Sequence, residues 1–462
     1  MSTERMLGTD ALLWHMERPD TPLHTLKTVV LDTSGREGGP LALEDLQLAI
    51  ERRLGLLPRW TQRVEAAPGF PGRPFWVDDP DFDLDDHVEE VTLPAPGARA
   101  ALDELHGRLA ASNLDVDRPL WKATLVHGLE GGRQAVVVQL HHAITDGIGA
   151  LNTMLLFTGA TPEEPGPTRP RLDPSPPPTP QALRRRVVSD TGGHLARLGS
   201  LLVAAGRSAR RARAYRREHP ELPAFIGARR NFTNRSTGAS HVCASGDVDF
   251  DRVRGVAKAA EVTVNGVYHA LIAAALRDEL LRRGEDLTRP TAAAFGIAIP
   301  NAPADRVQGN FITPTAVSVF SNLDDPVQRL RQTALSCREG VDLRRSTGLE
   351  MTLRWSEYTC RFAAWFLREV GARSPIVVNH VTTANVPGPP ERRYLGAIEV
   401  VDWISFAIAY SPANLNVTAY SYAGRLSIGV LATGGVLPEP RRFLGRMQEE
   451  LDVLHDLLCD RE

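Results

Sequence analysis

The chain has 462 residues, too many for one ordinary core, so two domains are expected. With 42% hydrophobic and 24% charged residues it has the balance of a globular protein, and its net charge of −3 gives no global pull toward nucleic acid. Cys243, Cys337, Cys360 and Cys459 are far apart with no Cys-x-x-Cys pair, which argues against a disulfide framework or a zinc knuckle and fits a reducing cytoplasm.

The opening segment carries Glu4, Arg5, Asp10, Glu17, Arg18 and Asp20 and no apolar core of signal-peptide length. No stretch approaches the ~20 apolar residues that span a bilayer. Any lipid would be met from the aqueous side. Strands and helices then alternate. Leu26, Thr28 and Val30 share one face of a strand, and Leu43, Leu46, Ile50 and Leu54 recur at helical spacing ahead of Pro58. Leu102, Leu105 and Leu109 mark a second helix. Ala135 to Leu140 is a valine-rich run of the kind found in buried strands, and Ile148, Leu151 and Leu155 begin another helix.

Residues 162–180 read PEEPGPTRPRLDPSPPPTP, which suits an extended, semi-rigid linker. An arginine-rich stretch from Arg184 to Arg217 follows, with Leu195, Leu198, Leu201, Leu202 and Val203 interleaved. It fits a basic amphipathic helix that touches anionic lipid, but a solvated helix connecting two domains is the preferred reading, because charged helix faces usually just meet water. Alternation resumes near residue 235. A helix holding Val267, Leu271 and Ala274 stops near Gly284; Leu415 to Ala419 and Leu426 to Val430 form a hairpin about Ala423-Gly424; Met447, Leu451, Leu454 and Leu458 stripe a final helix. The division expected is 1–161, a connection over 162–234, and 235–462, both lobes α/β.

Phosphate loops, Gly-x-Ser-x-Gly elbows, His-Glu-x-x-His motifs and dinucleotide fingerprints are missing. The chemistry falls to VVVQLHHAITDGIGA, Val136 to Ala150. Side chains alternate along a strand, so Val136, Val138, Leu140 and His142 point one way and Val137, Gln139 and His141 the other. If the strand form persists, only one histidine faces substrate. A neutral imidazole there suits proton abstraction near neutral pH, and Gly147 and Gly149 leave room for close approach. Structural readings stand beside this one: Asp146 as a helix N-cap, both histidines as hydrogen-bonded core residues. A zinc reading through His142 and Asp146 lacks further ligands nearby, so no metal is expected.

His141-His142-x-x-x-Asp146-Gly147 after an apolar strand resembles the signature of coenzyme A-dependent acyltransferases, the group of chloramphenicol acetyltransferase and peptide-synthetase condensation domains. The chain is similar more specifically to the bacterial wax ester synthase/acyl-CoA:diacylglycerol acyltransferase family. Thr9 to His24, Pro119-Leu120-Trp121, Thr263-Val264-Asn265, Gly309-Asn310 and Asn385-Val386-Pro387-Gly388-Pro389 carry the likeness, over residues 5 to 458.

That resemblance implies two chloramphenicol acetyltransferase-like domains of mixed α/β fold, a pseudo-dimer with a central tunnel. It implies His142 as general base, Asp146 as the residue positioning the loop, and His141 and Gly147 as the rest of the catalytic segment. Trp121, Asn265, Asn310, Asn385 and Gly388 become substrate-binding candidates, although Trp121 also reads as packing, Asn265 as a helix start, and 385–389 as a tight turn. The substrates implied are acyl-CoA, as co-substrate with no cofactor, and diacylglycerol or a long-chain alcohol. The location implied is the cytoplasm, with the inner membrane face or lipid inclusions as peripheral partners. One departure matters: the family usually has Asn-Asp where this chain has Asn265-Gly266. Another acceptor, such as a natural-product hydroxyl or amine, or a non-catalytic lipid-binding homologue, are the alternatives.

Overall fold

A computed structural model describes residues 3–459 except 37, 71, 165, 224–226, 236, 237, 239 and 434. Two six-stranded mixed sheets organise it. The first runs Arg393–Leu395, Ile398–Phe406, His24–Asp32, Arg133–His141, Trp121–Leu129, Val88–Thr92. The second runs Ile312–Val319, Thr291–Ala298, Val381–Pro387, Leu415–Tyr422, Arg425–Thr433, His241–Asp249.

The expected elements form for the reasons their sequences give. Along Arg133–His141, Val136, Val138 and Leu140 pack with Trp60 and Trp121, while Ala135 and Val137 pack with Leu102, Leu105 and Phe406. Both faces are covered, hence the unbroken apolar run; full burial of each valine is worth about 1.5–3 kcal/mol. The hairpin turns on Ala423 and Gly424, both at positive φ (45° and 82°), as a two-residue type I′ loop requires. Helix Val264–Arg282 closes at Gly284 (φ 63°), whose left-handed backbone lets the N–H of Glu285 reach Leu280 O and its own N–H reach Leu281 O.

The linker is not a free spacer. The backbone N–H of Arg169 donates to Arg52 O, that of Gly55 to Arg169 O, and that of Ser175 to Asp78, tying the segment to the N-terminal lobe. The arginine-rich stretch is one 39-residue helix, Pro180–Glu218, that buries Leu183, Val187 and Leu201.

Chain order and sheet membership diverge in one place. The first sheet is completed by Ile398–Phe406, which pairs with His24–Asp32 in the register Trp403↔Val29, so residues 393–406 do not belong with the rest of 235–462. The core holding Leu26, Val126, Ile404 and Phe406 also takes in Cys243 and Leu431 from the second sheet, so the lobes share packing. No single helix among the described residues is long and apolar enough to cross a membrane.

Candidate active site

His141 ends its strand fully buried, and His142 enters the turn that follows, half-buried. The two rings part company, as alternation predicts. His141 Nδ1 accepts the N–H of Ala143 (2.9 Å), which puts the ring proton on Nε2, where it is donated to Glu17; Trp14 packs edge-on at 5.9 Å. This ring is fixed on every side.

His142 turns to the other lobe. Its Nδ1 lies 3.0 Å from Oδ1 of Asn310. Asn310, buried, donates from Nδ2 to His142 O (2.7 Å) and to Oδ1 of Asp10 (2.8 Å), and its backbone N–H also reaches Asp10 (2.9 Å). Flipping the amide would set its oxygen against two acceptors, so Oδ1 faces His142 and the imidazole proton sits on Nδ1. Nε2 is left with no hydrogen-bond partner among the described residues. Burial lowers the pKa of His142 below the ordinary imidazole value, with the nearby Lys27 cation pushing the same way. Burial also raises the Asp10 carboxyl to about 7, against the pull of the Asn310 hydrogen bonds.

Asp146 caps helix Gly147–Leu156 through Ile148 and Gly149 N–H (3.0 Å each). It also holds the opposite lobe: Arg306 Nη2 meets both its oxygens (3.0 and 2.8 Å), and Phe311 N–H donates to Oδ2 (3.0 Å). Together with the Thr145↔Gly309 bridge, this clamps the loop that carries Asn310 against the histidine turn. The glycines serve packing. A Cβ on Gly149 would fall 1.9 Å from Thr145 Oγ1, and one on Gly147 would fall 3.1 Å from Val386. Room for a ligand is therefore not what these two positions provide.

The other sequence candidates separate. Trp121 is 1% exposed, stacked on Trp60 at 4.0 Å and on His87 at 4.8 Å, with Nε1 donating to Trp60 O. It is a packing residue, and the substrate-binding expectation is corrected. Gly388 is likewise packed, its hypothetical Cβ 2.3 Å from Ser421 O. Asn265 and Asn385 are half-buried, and neither side chain has a hydrogen-bond partner among the described residues. His269, one turn after Asn265, bonds Thr383, which shares a strand face with Asn385 (2.9 Å). Both amides thus lie toward one region of the C-terminal lobe.

At Gly266, Thr263 Oγ1 already caps the N–H (3.1 Å), and a Cβ would sit 2.6 Å from Ala334 Cβ on helix Pro326–Thr347. The missing carboxylate is replaced by helix-on-helix contact. Gly266→Asp should overpack this contact at a cost of about 1–3 kcal/mol, lowering Tm by roughly 1–6 °C in a thermal melt. An unchanged Tm would mean the helices are not in contact there.

Several site residues escaped sequence reasoning. Lys27 is 2% exposed, its ammonium 2.5 Å from Ser405 Oγ and 5.1 Å from the Tyr420 ring centroid. Burial lowers its pKa to about 7. Tyr420 donates to Gly147 O (2.9 Å). A lysine inside the apolar strand HTLKTVVLD is the signal that could have found Lys27; Asp10, Arg306 and Tyr420 carry no local signal. A cavity of about 880 Å³ is lined by Arg5, His15, Arg73, Arg361 and Trp365, and His142 is not part of its lining.

Residues 6–268 match the model of the wax ester synthase/diacylglycerol acyltransferase catalytic domain and residues 308–455 that of the C-terminal domain of the same family. The chain belongs to the wax ester synthase/diacylglycerol acyltransferase family. Two Mycobacterium tuberculosis (strain ATCC 25618 / H37Rv) proteins, provisionally named diacylglycerol O-acyltransferases, are each 31% identical to it over 449 and 456 residues, covering 96% of this chain and 94% of theirs. The wax ester synthase/diacylglycerol acyltransferase of Marinobacter aquaeolei VT8 superposes with a TM-score of 0.70 at 22% identity, covering 98% of both chains. The starter condensation domain of rhizomide synthetase gives 0.59 at 13% identity, covering 98% of this chain and 95% of its own. These structures show the shared two-domain fold, and membership of the wax ester synthase/diacylglycerol acyltransferase family makes the protein an acyltransferase, with an acyl donor and an acyl acceptor as substrates.

Proposed function

We propose that the protein transfers a long-chain acyl group from acyl-CoA to the hydroxyl of diacylglycerol or a fatty alcohol, with His142 as general base. The observation that carries this reading is a half-buried imidazole whose Nδ1 is engaged by Asn310 and whose Nε2 is unpartnered. An alcohol is a poor nucleophile at neutral pH. Nε2 takes its proton as the oxygen attacks the thioester carbonyl; the C–S bond then breaks, and the imidazolium returns the proton to the departing thiolate. No acyl-enzyme is needed. Asn310 and, through it, Asp10 are positioning residues that hold the ring and its tautomer. Gly266, packed on Ala334, supplies no argument for a different acceptor. Both proposed acceptors partition into lipid, so the enzyme works at a lipid surface met from the water side.

Offering a long-chain acyl-CoA with diacylglycerol, hexadecanol and a panel of amines, and identifying products by mass spectrometry, tests the reading. Esters with stoichiometric free CoA are expected; amides alone, or no CoA release, would overturn it.

The base must be neutral to act. A His142 pKa below the ordinary value keeps the acidic limb of kcat/KM below about pH 6.5, with activity falling as pH drops through it. Lys27, cationic in that range, depresses this pKa. Lys27→Met removes the repulsion, and the limb should move to higher pH. A limb that stays put or moves to lower pH would separate Lys27 from the base.

A further inference from the structure

Exposed large apolar side chains gather on two elements that touch. Phe362 (64% exposed), Trp365 (47%), Phe366 and Val370 line the end of helix Met351–Trp365 and the turn after it. Their rings contact one another, Phe362 to Trp365 at 5.7 Å and Phe362 to Phe366 at 6.3 Å, so a continuous aromatic ridge stands in water. Helix Pro180–Glu218 lies alongside, tied by Tyr358, whose hydroxyl donates to His194 O (2.9 Å); next to that contact Leu195 is 65% exposed. Patches of this kind on a folded chain mark an interaction surface.

Charge identifies the partner. Helix Pro180–Glu218 carries ten arginines against Asp190 and Glu218, in a chain whose net charge is −3. Beneath the ridge, the 880 Å³ cavity gathers Arg5, Arg73, Arg361 and Arg368; Asp190 pairs with Arg5, Glu357 with Arg73 and Glu369 with Arg368, which leaves Arg361 with no ion pair among the described residues. Arg73 is 9% exposed, and its Nε has no hydrogen-bond partner among the described residues. Two copies meeting face to face would oppose their arginine helices, which disfavours self-association. Aromatic rings backed by guanidinium groups suit the boundary between acyl chains and phosphate headgroups.

We propose that this face docks the enzyme onto an anionic phospholipid bilayer, Phe362, Trp365 and Phe366 entering the headgroup–acyl boundary while Arg361 and the exposed arginines of helix Pro180–Glu218 bind lipid phosphates. The proposal rests on the reading that the acceptor is drawn from lipid. The site is close behind. The apolar cluster of Met16, Leu23, Ala364 and Ile408 runs from the ridge helix to Leu23, whose carbonyl accepts the N–H of His142 (2.7 Å). Helix Gly8–Met16 presents His15 to the cavity and Asp10 to Asn310.

Co-sedimentation of the full chain with phosphatidylcholine vesicles, with and without phosphatidylglycerol, tests the proposal. The protein should pellet with the anionic vesicles, less so at high salt, and stay in solution with neutral ones. The triple variant Phe362→Ser, Trp365→Ser, Phe366→Ser should lose about tenfold in partitioning, while turning over a water-soluble short-chain acyl-CoA and alcohol at the parent rate, which also shows that it folds. Parent-level vesicle binding by the triple variant would overturn the proposal, and so would equal binding to neutral vesicles or a dimer that the substitutions abolish. Vesicle binding by a parent chain with no turnover would support the docking face while sinking the acyl-transfer reading.

Discussion

Replacing Asp146 with alanine should cost the fold about 3–5 kcal/mol, the typical loss when one partner of a buried ion pair is removed. Its side chain is 0% exposed and that of Arg306 6%, so truncation strands a guanidinium away from water. The cap on helix Gly147–Leu156 goes as well, worth ~1 kcal/mol, and the N–H of Phe311 loses its acceptor. Calorimetry should record a Tm lower by roughly 3–10 °C. The damage should reach function at temperatures where the chain is still folded, because Arg306 and Phe311 anchor the loop that carries Asn310 to His142. Asp146→Asn keeps an oxygen for the cap and loses the charge, so it should fall between parent and alanine variant. A parent-like Tm for Asp146→Ala would show that the clamp between lobes is not holding the site.

The sequence exposed the half of this site that is local. His141, His142, Asp146 and Gly147 fall within one seven-residue segment, and strand alternation was enough to send the two rings apart. The N-cap role of Asp146 was legible from its place ahead of an apolar helix, and the hairpin at Ala423-Gly424 from its turn residues. The partners were not. Asn310 is 168 residues from His142, Arg306 160 from Asp146, and Glu17 124 from His141. Such contacts depend on how two sheets meet, and periodicity says nothing about that. Sheet membership at 393–406 was out of reach for the same reason: an alternating strand shows which face is buried, not which sheet receives it. Gly147 and Gly149 taught a further lesson. Small residues beside a catalytic motif suggested space for ligand, whereas Thr145 and Val386 fill it.

The largest effect on turnover belongs to His142 itself. Proton transfer by a positioned side chain is worth about 10²–10⁴ in rate, and nothing else in the segment can supply it: His141 is committed to Glu17 and Ala143, and the Asp146 oxygens to N–H donors. Losing the ring strands the buried Asn310 Oδ1, which costs about 1–3 kcal/mol, so the melt should shift down by a few degrees while the chain stays folded. The decisive measurement is the initial rate of free CoA release by His142→Ala with a long-chain acyl-CoA and diacylglycerol or hexadecanol, on protein shown by its thermal melt to be folded. A fall of about 10²–10⁴ is expected; turnover within a few-fold of the parent would contradict the assignment of His142 as the base.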